Sequence, residues 1–243
     1  MTKRKRLVLF DLDGTLINSA PDIADAIDAA LVKQNFPPVG EKRVRTYIGS
    51  GVSSLIHQAI TLSEEKKAPP TEHRAVYECF LEHYSANVFT RSETYPYAEK
   101  LLCYLKESGW NIACVTNKPS AFTTPILTKA QLKQYFDCVL SADSPSDQKP
   151  QPTMLLEAMA HCRIHADDTL MVGDSVNDIK AATGARVKSI AVNFGYDGGL
   201  DLLKYGASRR IDSLDQLQLL TDNIMEKMSI REYFETTFRK SMS

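Results

Sequence analysis

Short apolar runs, each closed by a small or polar residue, set the rhythm of this chain. Leu7-Val8-Leu9-Phe10 stops at Asp11, Ile112-Ala113-Cys114-Val115 stops at Thr116-Asn117, and the run over residues 169–172 stops at Gly173-Asp174. Cys138-Val139-Leu140-Ser141 and the stretch 189–193 have the same character. Runs of this length suit short buried strands. Between them Ala98, Leu101, Leu102 and Leu105 recur at helical spacing, with Gly109 as a stop signal. Further helical stretches begin at Ser120 and cover 153–163. Strand and helix in alternation predict a parallel sheet covered by helices, an α/β architecture.

Residues 17–91 break that rhythm. Ile23, Ile27 and Leu31, then Leu55, Ile56, Ala59 and Ile60, carry helical patterning, with Pro37-Pro38 and Pro69-Pro70 as punctuation. The economical reading is a helical insertion between the first and second strands. The predicted organisation is a doubly wound, Rossmann-like core over 1–16 and 92–221, a small helical cap over 17–91, and a C-terminal extension over 222–243. The extension, with Arg231, Glu232, Tyr233 and Phe234, reads equally as an extra helix or as an ordered tail.

Composition narrows the function classes. At 243 residues, with 43% hydrophobic and 24% charged residues, the chain has the make-up of an ordinary globular protein. A net charge of −1 gives no global electrostatic reason to bind nucleic acid or an anionic membrane. The basic start Lys3-Arg4-Lys5-Arg6 precedes only four apolar residues, too few for a signal-peptide core, and nothing elsewhere has the length of a membrane span. The expected setting is cytoplasmic. Five scattered cysteines lack zinc or redox spacing, and Cys114 and Cys138 read as reduced thiols in strands.

The chemistry concentrates where strands end. Alternation would place Asp11 and Asp13 on one side with Leu12 turned away. Two adjacent carboxylates ask for a metal ion, an acid/base role or both, unless Asp13-Gly14 is merely a solvated turn. Thr116 and Asn117 close a strand and offer groups that can contact a phosphoryl oxygen. Lys149 sits in a loop stiffened by Pro150 and Pro152, just ahead of a helix. In Gly173-Asp174-Ser175-Val176-Asn177-Asp178, a capping box explains Ser175 and is one of two readings of Asp178, but it leaves Asp174 free to reach a cation. In a doubly wound sheet these strand ends share one edge, so the groups can converge on one cleft.

Asp11-Leu12-Asp13-Gly14-Thr15-Leu16, Thr116-Asn117-Lys118, Lys149-Pro150-Gln151-Pro152 and the Gly173–Asp178 segment together resemble the four motifs of the haloacid dehalogenase-like hydrolase superfamily. The resemblance runs from about Leu7 to Leu220, and the helical insertion resembles a C1-type cap. Asn117-Lys118-Pro119, Arg45-Thr46-Tyr47-Ile48-Gly49-Ser50-Gly51 and Asn193-Phe194-Gly195-Tyr196 are similar to the phosphoglycolate phosphatases within it.

The resemblance implies a magnesium-dependent phosphatase acting through an aspartyl-phosphate. Asp11 is the implied nucleophile, and Asp13 the acid and base. Thr116 and Lys149 are implied to steady the phosphoryl oxygens, with Asn117. Mg²⁺ is implied on Asp11, on Asp13 through its backbone carbonyl, and on Asp174. Asp178 and Ser175 are implied one shell out. In the cap, Arg45 reads equally as the partner for a substrate carboxylate or as a solvated helix arginine, and Gly49 as a close approach of backbone to substrate or as a cap turn. The expected partner is a small phosphorylated metabolite such as 2-phosphoglycolate, with no nucleic acid and no membrane, handled by a monomer or homodimer. Competing readings are a phosphatase or phosphomutase for a sugar phosphate, nucleotide or pyrophosphate, and a receiver-like phosphoacceptor switch.

Overall fold

The computed structural model describes residues 4–64, 70–224 and 228–241. Lys3 of the basic start, Pro69, and residues 225–227, 242 and 243 of the C-terminal extension lie outside them. At the centre is β1 (Leu7–Phe10), with every residue shut off from solvent. Then follow β2 (Ile17–Asn18), α1 (Ala20–Lys33), α2 (Glu41–Val44), α3 (Val52–Glu64), α4 (Pro70–Asn87) and β3 (Glu93–Thr94). The alternating part comprises α5 (Ala98–Glu107), β4 (Asn111–Thr116), α6 (Ser120–Lys129), β5 (Cys138–Ser141), α7 (Thr153–Cys162), β6 (Thr169–Gly173) and α8 (Val176–Gly184). It ends with β7 (Lys188–Val192), β8 (Arg209–Ile211), α9 (Leu214–Ile224) and α10 (Ile230–Ser241).

The main sheet has the order β5-β4-β1-β6-β7-β8, all parallel, which is the doubly wound arrangement the alternation predicts. Because β1 is covered on both faces, its sequence is continuously apolar and does not alternate. Val8 and Phe10 join one core with Leu101, Leu105, Phe122, Leu217 and Ile224. Leu7 and Leu9 join a second core with Met154, Leu155, Ala158 and Ala181. Helices α5, α6 and α9 thus cover one face, and α7 and α8 the other.

Two features escape the sequence pattern. The edge strand β8 has only three residues, two of them arginines, and buries Ile211 alone. Charges of this kind blunt an exposed edge against further pairing. The second feature is a two-residue antiparallel ribbon in which Ile17 pairs with Thr94 and Asn18 with Glu93. Through it the chain leaves the sheet and returns.

Between the ribbon strands, α1 packs along α4. Asp22 on α1 is buried, and its carboxylate accepts from the backbone N–H groups of Thr90 (2.9 Å), Arg91 (2.7 Å) and Ser92 (3.0 Å). The returning segment is thereby pinned to the first helix.

The C-terminal extension takes the helical alternative. Ile230 and Phe234 of α10 enter the core, and Arg231 pairs with Asp167 at 2.8 Å. All five cysteines are unpaired. Among the described residues no helix is long and apolar enough to cross a membrane.

Candidate active site

The parallel register sets Phe10 beside Cys114 and Val172, so β1, β4 and β6 release their chains at one level. Asp11 extends the ladder by one bond, donating its N–H to Val172 O at 3.0 Å. A tight turn follows. Leu12 points into the core, and its carbonyl accepts from the N–H groups of Leu16 and Ile17, both at 3.0 Å. Gly14 completes the turn at φ +84°, and a Cβ there would collide with the Asp174 carboxylate. Asp11 and Asp13 consequently line the same cavity, as the alternation predicts.

Lys149 reaches this place from the loop before α7. Its ammonium donates to Asp11 Oδ1 (2.8 Å), Asp178 Oδ1 (2.7 Å) and Val115 O (2.7 Å), which employs all three N–H bonds. Burial alone would lower this ammonium's pKa, but the carboxylates of Asp11 and Asp178 outweigh burial and hold it raised. The loop is clamped by the side chain of Asn117, whose Oδ1 accepts from Lys149 N–H (2.7 Å) and whose Nδ2 donates to Lys149 O (2.9 Å). The same Nδ2 also reaches Gly49 O at 2.9 Å. The Asn117 amide, expected to face a phosphoryl oxygen, is therefore committed to backbone at both ends.

Asp174 leaves β6 immediately before α8. Its Oδ2 accepts from Tyr196 N–H at 2.6 Å, and Oδ1 lies 3.3 Å from the Thr15 hydroxyl. Ser175 and Asp178 form the expected capping box: Ser175 Oγ accepts from Asp178 N–H while Asp178 Oδ2 accepts from Ser175 N–H. Since Asp178 Oδ1 faces Lys149, the residue serves the helix end and the lysine together. Asn177, beside it, donates to Gly49 O at 3.1 Å, so one cap carbonyl receives amides from two core loops.

Oxygen atoms of Asp11, Asp174 and Asp178 all lie within 4.8 Å of one another, and all three residues are buried. Burial pushes the Asp11 carboxyl up to about 7, with Lys149 opposing. Burial, and then the negative charge of Asp11 and Asp178, drives Asp174 well up. Ionised together, these three buried carboxylates beside one ammonium would leave negative charge unbalanced. An all-oxygen donor set in that condition fits a hard divalent cation.

Asp13 has a second lysine as its partner. Lys118 Nζ lies 3.1 and 3.0 Å from the two oxygens of Asp13, and Thr116 Oγ1 accepts from Lys118 N–H at 3.2 Å. Lys118 was legible only as a neighbour of Thr116 and Asn117 in the motif; its placement over Asp13 depends on the packing of β4 against β1.

Asp11, Asp13, Thr116, Asn117, Lys118 and Gly49 surround a small cavity of about 50 Å³. Arg45, the expected partner for a substrate carboxylate, is absent from the described lining. Its guanidinium donates to Glu41 (3.0 Å), one helical turn back, and to Asn18 (3.1 Å), and it lies over the Tyr196 ring.

A family model of haloacid dehalogenase-like hydrolases matches residues 8–192. Phosphoglycolate phosphatase of Nitrosococcus oceani is 36% identical over 220 residues, spanning 90% of this chain and 98% of that one. Phosphoglycolate phosphatase 1 of Pseudomonas aeruginosa is 37% identical over 226 residues, with 93% and 83% covered. A crystal structure from Haemophilus somnus 129PT, described as a predicted phosphoglycolate phosphatase, superposes with a TM-score of 0.84 at 32% identity, covering 91% of this chain and 99% of that one. This chain belongs to the haloacid dehalogenase-like hydrolase family.

Proposed function

We propose that the protein is a phosphatase that hydrolyses 2-phosphoglycolate to glycolate and phosphate through a phosphorylated Asp11. One observation carries the reading: Asp11 is held by Lys149 at the floor of a cavity in which a second carboxylate, Asp13, stands beside it. The names of the relatives at 36% and 37% identity support the choice of substrate.

In the first half-reaction a carboxylate oxygen of Asp11 attacks phosphorus in line, and the bond to the ester oxygen breaks. The leaving oxygen takes a proton from the Asp13 carboxyl. In the second, water attacks the same phosphorus, giving its proton to Asp13, and Asp11 leaves as carboxylate. Thr116 donates its hydroxyl to a phosphoryl oxygen, and Lys149 meets the charge that gathers on the phosphoryl group. Asp178 positions Lys149 and acts through it.

Asp11, Asp174 and the backbone carbonyl of Asp13 would hold Mg²⁺, which supplies neutralising charge for an incoming phosphate dianion. The unpaired cysteines support a cytoplasmic setting.

The test is phosphate release from a panel of small phosphomonoesters, with Mg²⁺ and with chelator. The expected result is multiple turnovers, highest kcat/KM on 2-phosphoglycolate, and loss on chelation. A single stoichiometric phosphorylation without turnover would overturn the reading in favour of a phosphoacceptor switch.

A further inference from the structure

The cavity above Asp11 and Asp13 has an apolar roof. Ile23, Ile48, Val52, Leu55, Phe80 and Phe122 line it, and none of them can hold a charged group. Among the described lining residues Lys118 is the only cationic side chain. Beside it is Tyr84 of α4, over whose ring the Lys118 ammonium lies at 4.9 Å from the centroid.

The Tyr84 ring is fixed in place. It stacks on Phe80 at 5.3 Å and meets Phe122 edge-on at 4.9 Å. Its hydroxyl is buried and has no hydrogen-bond partner, although the charges of Lys118 and Asp13 both act on it. Burial pushes this phenol up to about 12, so it stays an O–H donor. An unmade hydrogen bond at a buried hydroxyl is unfavourable and asks for a ligand or another explanation.

An ammonium and a phenol side by side are two donors lining one cavity, next to the carboxylate that would serve the ester oxygen. Lys118 has three N–H bonds and can be shared between Asp13 and a second anion. A carboxylate one carbon away from the ester oxygen is the ligand that such a pair fits. A neutral alkyl end would leave the phenol unpaired and the ammonium with Asp13 alone.

We propose that Lys118 and Tyr84 are the specificity determinants of this enzyme, holding the carboxylate of an acidic two-carbon phosphate ester between the sheet and the helical insertion. The proposal rests on the phosphatase reading above and gives the substrate's carboxylate to this pair in place of Arg45.

The test compares kcat/KM for 2-phosphoglycolate with that for ethyl phosphate, which is similar in size and lacks the carboxylate. It is run on the unmodified protein, on Tyr84→Phe, which retains the ring packing, and on Lys118→Gln. The unmodified protein should prefer the acidic ester. Tyr84→Phe should lower the ratio of the two values about tenfold, chiefly through KM for 2-phosphoglycolate, and Lys118→Gln should lower it further. If both esters decline in parallel in both variants, the pair serves only packing or Asp13, and the proposal falls. If the unmodified protein hydrolyses both esters without preference, the proposal falls while the phosphatase reading stands. If no phosphomonoester is hydrolysed at all, both fall.

Discussion

The Lys149 ammonium lies 2.8 Å from Asp11 Oδ1 and is enclosed almost completely, with Asp178 as its other anionic partner at 2.7 Å. A buried charge that loses its partner is far worse placed than a pair that was never made. Lys149→Met therefore strands two carboxylates. The expected loss is about 3–5 kcal/mol in unfolding free energy and roughly 10²–10³-fold in kcat. Urea titration and steady-state assays check this. Unchanged stability would mean that Asp11 and Asp178 are satisfied without the lysine.

Asp11→Asn keeps an oxygen that can accept from Lys149 but removes the proposed nucleophile. Turnover should drop by roughly 10⁴-fold or more, with no phosphorylated protein trapped by acid quench. Stability should move by only about 1 kcal/mol, since one desolvated charge disappears along with one ion pair. Full activity in this variant would reassign the attacking group.

The two raised carboxyl groups link stability to pH. Asp11 goes from an ordinary value of 3.8 to about 7, and Asp174 is raised as well. Between about 4 and about 7 the folded, metal-free protein holds protons that the unfolded chain has already lost. Its stability should therefore fall as pH rises through that window, and go on falling above it until Asp174 is ionised too. Mg²⁺ bound as proposed would compete with those protons, so its stabilising effect should be larger at pH 8 than at pH 5. At a concentration about 100-fold above Kd the gain is about 2.7 kcal/mol, or roughly 5–10 °C in Tm for a chain of this length. Thermal unfolding at both pH values, with and without Mg²⁺, checks the sign. A larger effect at pH 5 would place the cation elsewhere.

Asp22 is a structural carboxylate, remote in role from the chemistry. Asp22→Ala leaves the N–H groups of Thr90, Arg91 and Ser92 without their common acceptor. A loss of about 2–3 kcal/mol is expected, measured by denaturant unfolding. A change below about 0.5 kcal/mol would show that other contacts hold this segment.

Buried central strands advertise themselves, which is why β1, β4 and β6 and the groups at their ends were readable from the sequence. Asp11, Asp13, Thr116 and Asp174 follow directly from that geometry. What the pattern hides is set by tertiary contact. β8 is missed because its two arginines face outward at an edge, and the Ile17–Thr94 ribbon because two residues carry no period. Asn117 and Arg45 have side chains suited to anions, yet nearby backbone and Glu41 engage them first. Lys118 and Tyr84 come together only when the insertion packs on the sheet, so no local signal announces the pair.

The ribbon joining Ile17 to Thr94 and Asn18 to Glu93 keeps the ends of a long excursion within one strand spacing of each other. Because its two ends meet at the ribbon, the length of whatever is threaded between them does not set the distance between β1 and β4. The roof of the cavity can thus change in length and sequence while the strand ends that carry Asp11, Thr116 and Asp174 keep their places.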